Sequence, residues 1–145
     1  MDEGDPTNCE FCQIARGQGD ALVVCESDDC IAFFPINPAT LGHTLVISKH
    51  HFQDLWSVSD SVGHAMMDLA IRVGRALQVV VEPEGMNLIA SSGEAASQTI
   101  NHVHLHVVPR WHSDTIGTIW PPSRPMSETV KEGLAEAMRA ECSRA

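Results

Sequence analysis

The segment His102-Val103-His104-Leu105-His106-Val107-Val108 alternates imidazole and aliphatic side chains three times. Successive side chains of an extended chain point to opposite faces, with a same-face repeat of about 6.7 Å. The alternation therefore predicts a strand with His102, His104 and His106 on one face and Val103, Leu105 and Val107 on the other. The aliphatic face belongs to a core. The imidazole face is costly to bury unpaired, so it lines a cleft, meets a metal ion, or forms a satisfied polar stripe. Three histidines beside the small polar run at residues 91–97 favour a functional cleft over the stripe. A catalytic metal is the sharper rival, but no Asp or Glu lies in the strand to complete its ligand set.

The rest of the chain supplies a sheet for that strand. Residues 21–25 and 30–34 are short apolar, β-prone runs separated by Glu26-Ser27-Asp28-Asp29, which predicts a hairpin. Residues 42–48 read as a third strand, residues 86–90 as a fourth and residues 99–108 as a fifth. Ser59 caps a helix in which Val62, Met66, Leu69, Val73, Ala76, Leu77 and Val80 recur on one face; Ser127 caps a second carrying Val130, Leu134 and Met138. The expected class is α+β, an antiparallel five-stranded sheet with two main helices. Residues 1–8 are polar and acidic and read as a flexible tail, leaving residues 9–145 as one domain.

With 19 acidic and 9 basic side chains the formal charge is -10, which repels polyanions and argues against a nucleic-acid partner. A single nucleotide needs only a few local donors and stays compatible with that field. The first twenty residues hold no apolar run, so the reading is a cytoplasmic protein without signal peptide or membrane span. Five cysteines in such a chain are expected as thiols or metal ligands. Cys9-Glu10-Phe11-Cys12 alone is compatible with structural zinc, redox chemistry or chance; the redox reading needs a long helix after the pair, and residues 13–20, with Gly17 and Gly19, do not read as one.

The stretch 102–108 matches the motif of the histidine triad family, and Phe33 to Asn37, the strand Gly42-His43-Thr44-Leu45-Val46-Ile47, Gly93 and Gln98 resemble family elements in order and spacing. The resemblance covers most of the chain. It implies a sheet paired across a homodimer into ten strands, and a small-molecule nucleotide substrate. It also implies His104 as the nucleophile that attacks the α-phosphate, through a ring nitrogen whose lone pair is free at neutral pH. By the same resemblance His106 and His43 contact the phosphate or leaving group as imidazolium-like groups, and His102 orients His104. Ser91, Ser97, Gln98 and Thr99 are the expected phosphate donors, and Phe33 and Ile36 the expected walls of a base pocket.

Three positions depart from the family pattern. Ser91 stands where relatives often have Asn and Ser97 where they usually have Gly, though a hydroxyl can replace either contact. Pro35 stands where an acidic residue commonly binds the ribose hydroxyls, a role that shifts to Asn37. The bacterial-type pattern further implies a structural zinc held by Cys9, Cys12, His51 and His102, with His50 facing solvent, and a nucleotide site that takes a C-terminal residue such as Trp120 from the partner subunit.

The leading expectation is therefore a nucleotide hydrolase or transferase acting on nucleoside 5'-phosphoramidates or related conjugates. A dinucleoside polyphosphate hydrolase and a non-catalytic nucleotide-binding module are the alternatives. A sugar-phosphate nucleotidylyltransferase is disfavoured because that branch carries Gln where this chain has His106, and a DNA-repair deadenylase because the surface is acidic.

Overall fold

The computed structural model describes residues 6–144; the part of the expected tail at residues 1–5 lies outside the described residues, and residues 6–8 form a turn. Contacts group the chain into two compact units that divide between Thr115 and Ile116.

The first unit is built on one antiparallel sheet of five strands, β1 (Leu22–Glu26), β2 (Cys30–Phe34), β3 (Thr44–Ser48), β4 (Gly85–Ala90) and β5 (His104–Arg110), in the order β1-β2-β3-β5-β4. Every strand pair is antiparallel. A six-residue helix α1 (Glu10–Ala15) precedes the sheet, and the long helix α2 (Asp60–Val80) links β3 to β4. Ser59 caps α2 as expected, its hydroxyl accepting from the Val62 amide.

Strand pleating sorts the core into two layers. Cys30 and Ala32 of β2, Val46 of β3, and Leu105 and Val107 of β5 point to the α2 side and pack with Val62, Met66, Leu69, Ala70, Val73 and Leu77. Ile31, Phe33, Leu45 and Ile47 point the other way and pack with Phe11 of α1. Because β3 is covered on both faces, all five of its residues are buried, which is why its centre, Leu45-Val46-Ile47, reads as an unbroken apolar run between Thr44 and Ser48.

Three boundaries correct the sequence reading. The fifth strand begins at His104, not at residue 99, and runs on to Arg110. Ahead of it the Val103 amide donates to the Phe52 carbonyl at 2.7 Å, so the backbone at 103 leaves the ladder for a loop. The third strand begins at Thr44, because Gly42 has φ +83° and is not extended; a Cβ there would come within 2.8 Å of Leu77 Cδ2. Helix α1 was not foreseen, since six residues are too few to display a period.

The second unit carries α3 (Glu128–Cys142), capped by Ser127 through the Val130 amide. Its apolar stripe of Val130, Leu134 and Met138 is half-exposed or more, and Trp120 is exposed. Among the described residues no helix is long and apolar enough to cross a membrane.

Candidate functional site

The strand register places the chemistry. His104 lies opposite Ile47 and His106 opposite Leu45, while Phe33 also pairs with Leu45. His104 and His106 therefore share the sheet face that looks away from α2. His43, one residue before β3, joins them: its ring centroid is 5.2 Å from that of His106, which is 5.0 Å from that of His104. Both His43 and His104 are only 7% exposed, so their nitrogens are desolvated except where they open onto the site.

Hydrogen bonds assign the tautomers. His104 Nδ1 lies 2.6 Å from the His102 carbonyl oxygen, which can only accept, so Nδ1 carries the proton and Nε2 keeps a free lone pair. The Ala39 amide donates to His43 Nδ1 at 3.0 Å, so the proton of neutral His43 is on Nε2. That nitrogen donates to His106 Nδ1 at 2.9 Å, which leaves the His106 proton on Nε2. The cluster thus holds one nucleophilic nitrogen on His104 and one N–H donor on His106 whose proton supply runs back to His43.

Burial keeps these rings neutral. It lowers the pKa of His43 and of His104, the latter against the opposing bond to the His102 carbonyl. His106 is pushed down to about 4, first by burial and then by the neighbouring His104 and His43. The sequence reading expected imidazolium character at His43 and His106; at neutral pH both are neutral donors, and the charge of an incoming phosphate is what would raise their pKa.

His102 precedes β5 but stays on the same side of the sheet as His104: its ring meets Phe11 of α1 at 5.9 Å, while Val103 packs with Leu105 and Val107 on the α2 side. The His102 ring is fully buried, Nε2–H donates to the Ser48 carbonyl at 2.8 Å, and Nδ1 faces Cys9 Sγ at 3.4 Å and Cys12 Sγ at 3.5 Å. His51 Nδ1 is 3.3 Å from Cys12 Sγ, and all four ligand atoms lie within 4.8 Å of one another. A tetrahedral zinc with bonds of about 2.3 Å to sulfur and about 2.0 Å to nitrogen separates S and N by about 3.5 Å, which is the spacing present here. Two thiolates and two neutral imidazoles balance the charge of a divalent ion, and the Ser48 carbonyl fixes the tautomer that frees Nδ1. The donor set fits zinc. Without that charge, burial and the adjacent Cys9 hold the Cys12 thiol up at about 11. His50, as expected, is exposed.

Beside the imidazoles lies an apolar cavity of about 340 Å³, lined from the sheet by Phe33 and Leu45 and from α1 by Phe11 and Ile14. Phe33 and Ile36 both line it, Phe33 from a buried position and Ile36 from an exposed rim; Pro35 lines it too, whereas Asn37 is exposed outside the lining set. Phe11 escaped the sequence reading. Its ring meets Phe33 edge-on at 5.5 Å and His104 at 5.3 Å, so one side chain touches both the cavity wall and the nucleophile.

The loop between β4 and β5 holds Ser91, Ser97, Gln98 and Thr99. Ser97 has φ +67°, the left-handed region that Gly enters without a Cβ penalty. The Gln98 amide is spent on the backbone: Oε1 accepts from the Gly93 amide at 2.8 Å, and Nε2 donates to the carbonyls of Gln53 and Ile100. Gln98 is thus the brace of the loop. Ser91 is half-buried, while Ser97 and Thr99 are exposed.

Residues 16–113 match the domain family described as the HIT domain. The chain belongs to the histidine triad family. Over 114 residues this histidine triad protein is 34% identical to the protein hit of Bacillus subtilis, covering 78% of this chain and 79% of the relative. It is 32% identical over 130 residues to the adenosine 5'-monophosphoramidase of Schizosaccharomyces pombe, covering 89% and 94% of the two chains. The adenylylsulfatase of Arabidopsis thaliana is 34% identical over 109 residues, which span 55% of that longer protein. Among solved structures, a HIT family protein from Bacillus anthracis superposes with a TM-score of 0.86 at 32% identity, covering 92% and 96%. A zinc-bound histidine triad family protein from Mycobacterium smegmatis gives a TM-score of 0.72 at 32% identity, covering 97% and 100%.

Proposed function

We propose that this histidine triad protein is a nucleotide hydrolase or transferase that acts at the α-phosphate of nucleoside 5'-phosphoramidates or related conjugates through a nucleotidyl intermediate on His104. The observation that carries the reading is the 2.6 Å bond from His104 Nδ1–H to the His102 carbonyl, which leaves Nε2 as an unprotonated nucleophile without help from a separate base. The phosphoramidase and sulfatase relatives act on single-nucleotide conjugates by their names, and that supports the substrate class.

The steps follow from the tautomers. His104 Nε2 forms a bond to the α-phosphorus as the bond from phosphorus to the leaving nitrogen breaks, and the amine leaves with a proton taken from solvent while His106 Nε2–H donates a hydrogen bond to the charge that develops there. His43 Nε2–H, donating to His106 Nδ1, polarises that ring and strengthens the donor. Water then attacks phosphorus, releases its proton to solvent and frees His104. The base lies in the apolar cavity against Phe33, with Ile36 at the rim, and Asn37 takes the ribose contact that Pro35 cannot make. Ser91, Ser97 and Thr99 serve the phosphate. Zinc at Cys9, Cys12, His51 and His102 supplies a cross-link, not chemistry.

The same reading makes the protein a cytoplasmic homodimer. Met67 and Ile71 on the outer side of α2 are each 43% exposed, and β4 is a sheet edge, a combination suited to pairing with a second copy. Trp120 of the partner subunit would then complete the nucleotide site.

The experiment is a comparison of adenosine and guanosine 5'-phosphoramidates with dinucleoside polyphosphates, with a quench under mild alkali to recover labelled nucleotide on His104. Faster turnover of the phosphoramidates and label on His104 are expected. Preference for the polyphosphates, label on a cysteine, or binding without turnover would overturn the reading.

A further inference from the structure

We propose that the Cys9/Cys12/His51/His102 cluster and the nucleotide cavity are thermodynamically coupled through Phe11, so that zinc at the first and a nucleoside 5'-monophosphate at the second strengthen each other's binding. The inference rests on the reading of the cavity and the cluster given above and adds a relation between them.

Three observations carry it. First, α1 and the turn after it are self-contained: the backbone hydrogen bonds of residues 9–19 close within the segment, from Gln13 N to Cys9 O through Gly19 N to Gln13 O. Among the described residues the segment's hydrogen-bond links to the sheet and its loops are the three sulfur–imidazole contacts of Cys9 and Cys12, at 3.3 to 3.5 Å. Second, this same segment supplies one wall of the cavity, through Glu10, Phe11, Gln13 and Ile14. Third, Phe11 stands between the two cysteines in sequence and meets Phe33 of the opposite wall and the ring of His104.

The consequence is physical. An ion that binds four ligands, two on α1 and two on the loops bordering β3 and β5, fixes α1 against the sheet. The cavity wall is then already ordered when the nucleotide arrives, and the nucleotide no longer bears that entropy cost. Linkage makes the effect reciprocal, so a nucleotide that clamps Phe11 against Phe33 must tighten zinc by the same factor.

The test measures the dissociation constant of adenosine 5'-monophosphate by calorimetry, with the full chain metal-free and zinc-loaded, and the zinc dissociation constant by chelator competition with and without that nucleotide. Both constants are expected to tighten by one common factor, of the order of 5- to 150-fold. In Phe11→Leu, or in Phe11→Met if the first variant folds poorly by circular dichroism, both ligands still bind and the factor falls toward one. A wild-type factor of one overturns the coupling, and an undiminished factor in the folded variant overturns Phe11 as its carrier. Absence of zinc binding sinks the inference together with the zinc site, whereas absence of nucleotide binding by zinc-loaded protein sinks it together with the nucleotide reading.

Discussion

The main-chain carbonyl of His102 accepts the Nδ1 proton of His104 at 2.6 Å, so the residue whose ring faces the cysteines is also the one that decides which nitrogen of His104 is nucleophilic. Replacing His104 by Asn removes that nitrogen and few ground-state contacts. Turnover of a nucleoside phosphoramidate is expected to fall by about a thousandfold or more, while adenosine 5'-monophosphate binding changes only a few-fold. A chromatographic turnover assay set beside calorimetry separates the two quantities.

Activity should hold well into mild acid. The reactive form of His104 is the neutral ring, and burial lowers its pKa below the ordinary 6.5. The acid limb of kcat/KM for the free enzyme is therefore expected below pH 6.5, measured across pH 4 to 8.

Stability carries its own pH dependence. In the unfolded chain His102 and His106 take up protons near pH 6.5, but in the fold only near pH 4. Between those values the unfolded chain binds more protons, so stability is complete above about 6.5, declines as pH falls toward about 4, and levels off below. Melting curves of metal-free protein should trace this slope, and His106→Gln, which does not touch the cysteine cluster, should flatten it.

Zinc should bind at one ion per chain and raise stability. At a free ion concentration a thousand times Kd the gain is about 4 kcal/mol, or roughly 10 °C in Tm for a chain of this size. Elemental analysis and melting of Cys12→Ser should show loss of both the ion and the increment.

Gln98→Ala should destabilise by about 1–3 kcal/mol, because it strips partners from the Gly93 amide and from the Gln53 and Ile100 carbonyls together. A lower urea midpoint at unchanged m would register it.

Much of this was legible in the chain. Alternation placed His104 and His106 on one face with Leu105 and Val107 opposite, and helical spacing chose Val62, Met66, Leu69, Val73 and Leu77 of α2, which are buried, but also Ala76 and Val80, which are exposed, and it passed over the buried Ala70. Alternation gave the side of His102 but not the strand boundary, because a pattern of period two does not announce where the backbone leaves the ladder; the Phe52 carbonyl that takes the Val103 amide is fifty-one positions away. Phe11 was hidden for a related reason: it sits in a helix capped by a cysteine, outside the usual capping residues. The bracing role of Gln98 depends on Gln53, forty-five positions distant, and nothing local to either residue signals it.

The pleat of β5 works as a reading frame. Inserting or deleting a single residue between His104 and Leu105 would exchange everything downstream, sending an imidazole under α2 and an aliphatic side chain into the cleft. The catalytic face and the packed face of this strand can be altered by substitution one side at a time, but they can be shifted only together, so length in this stretch is constrained more tightly than composition.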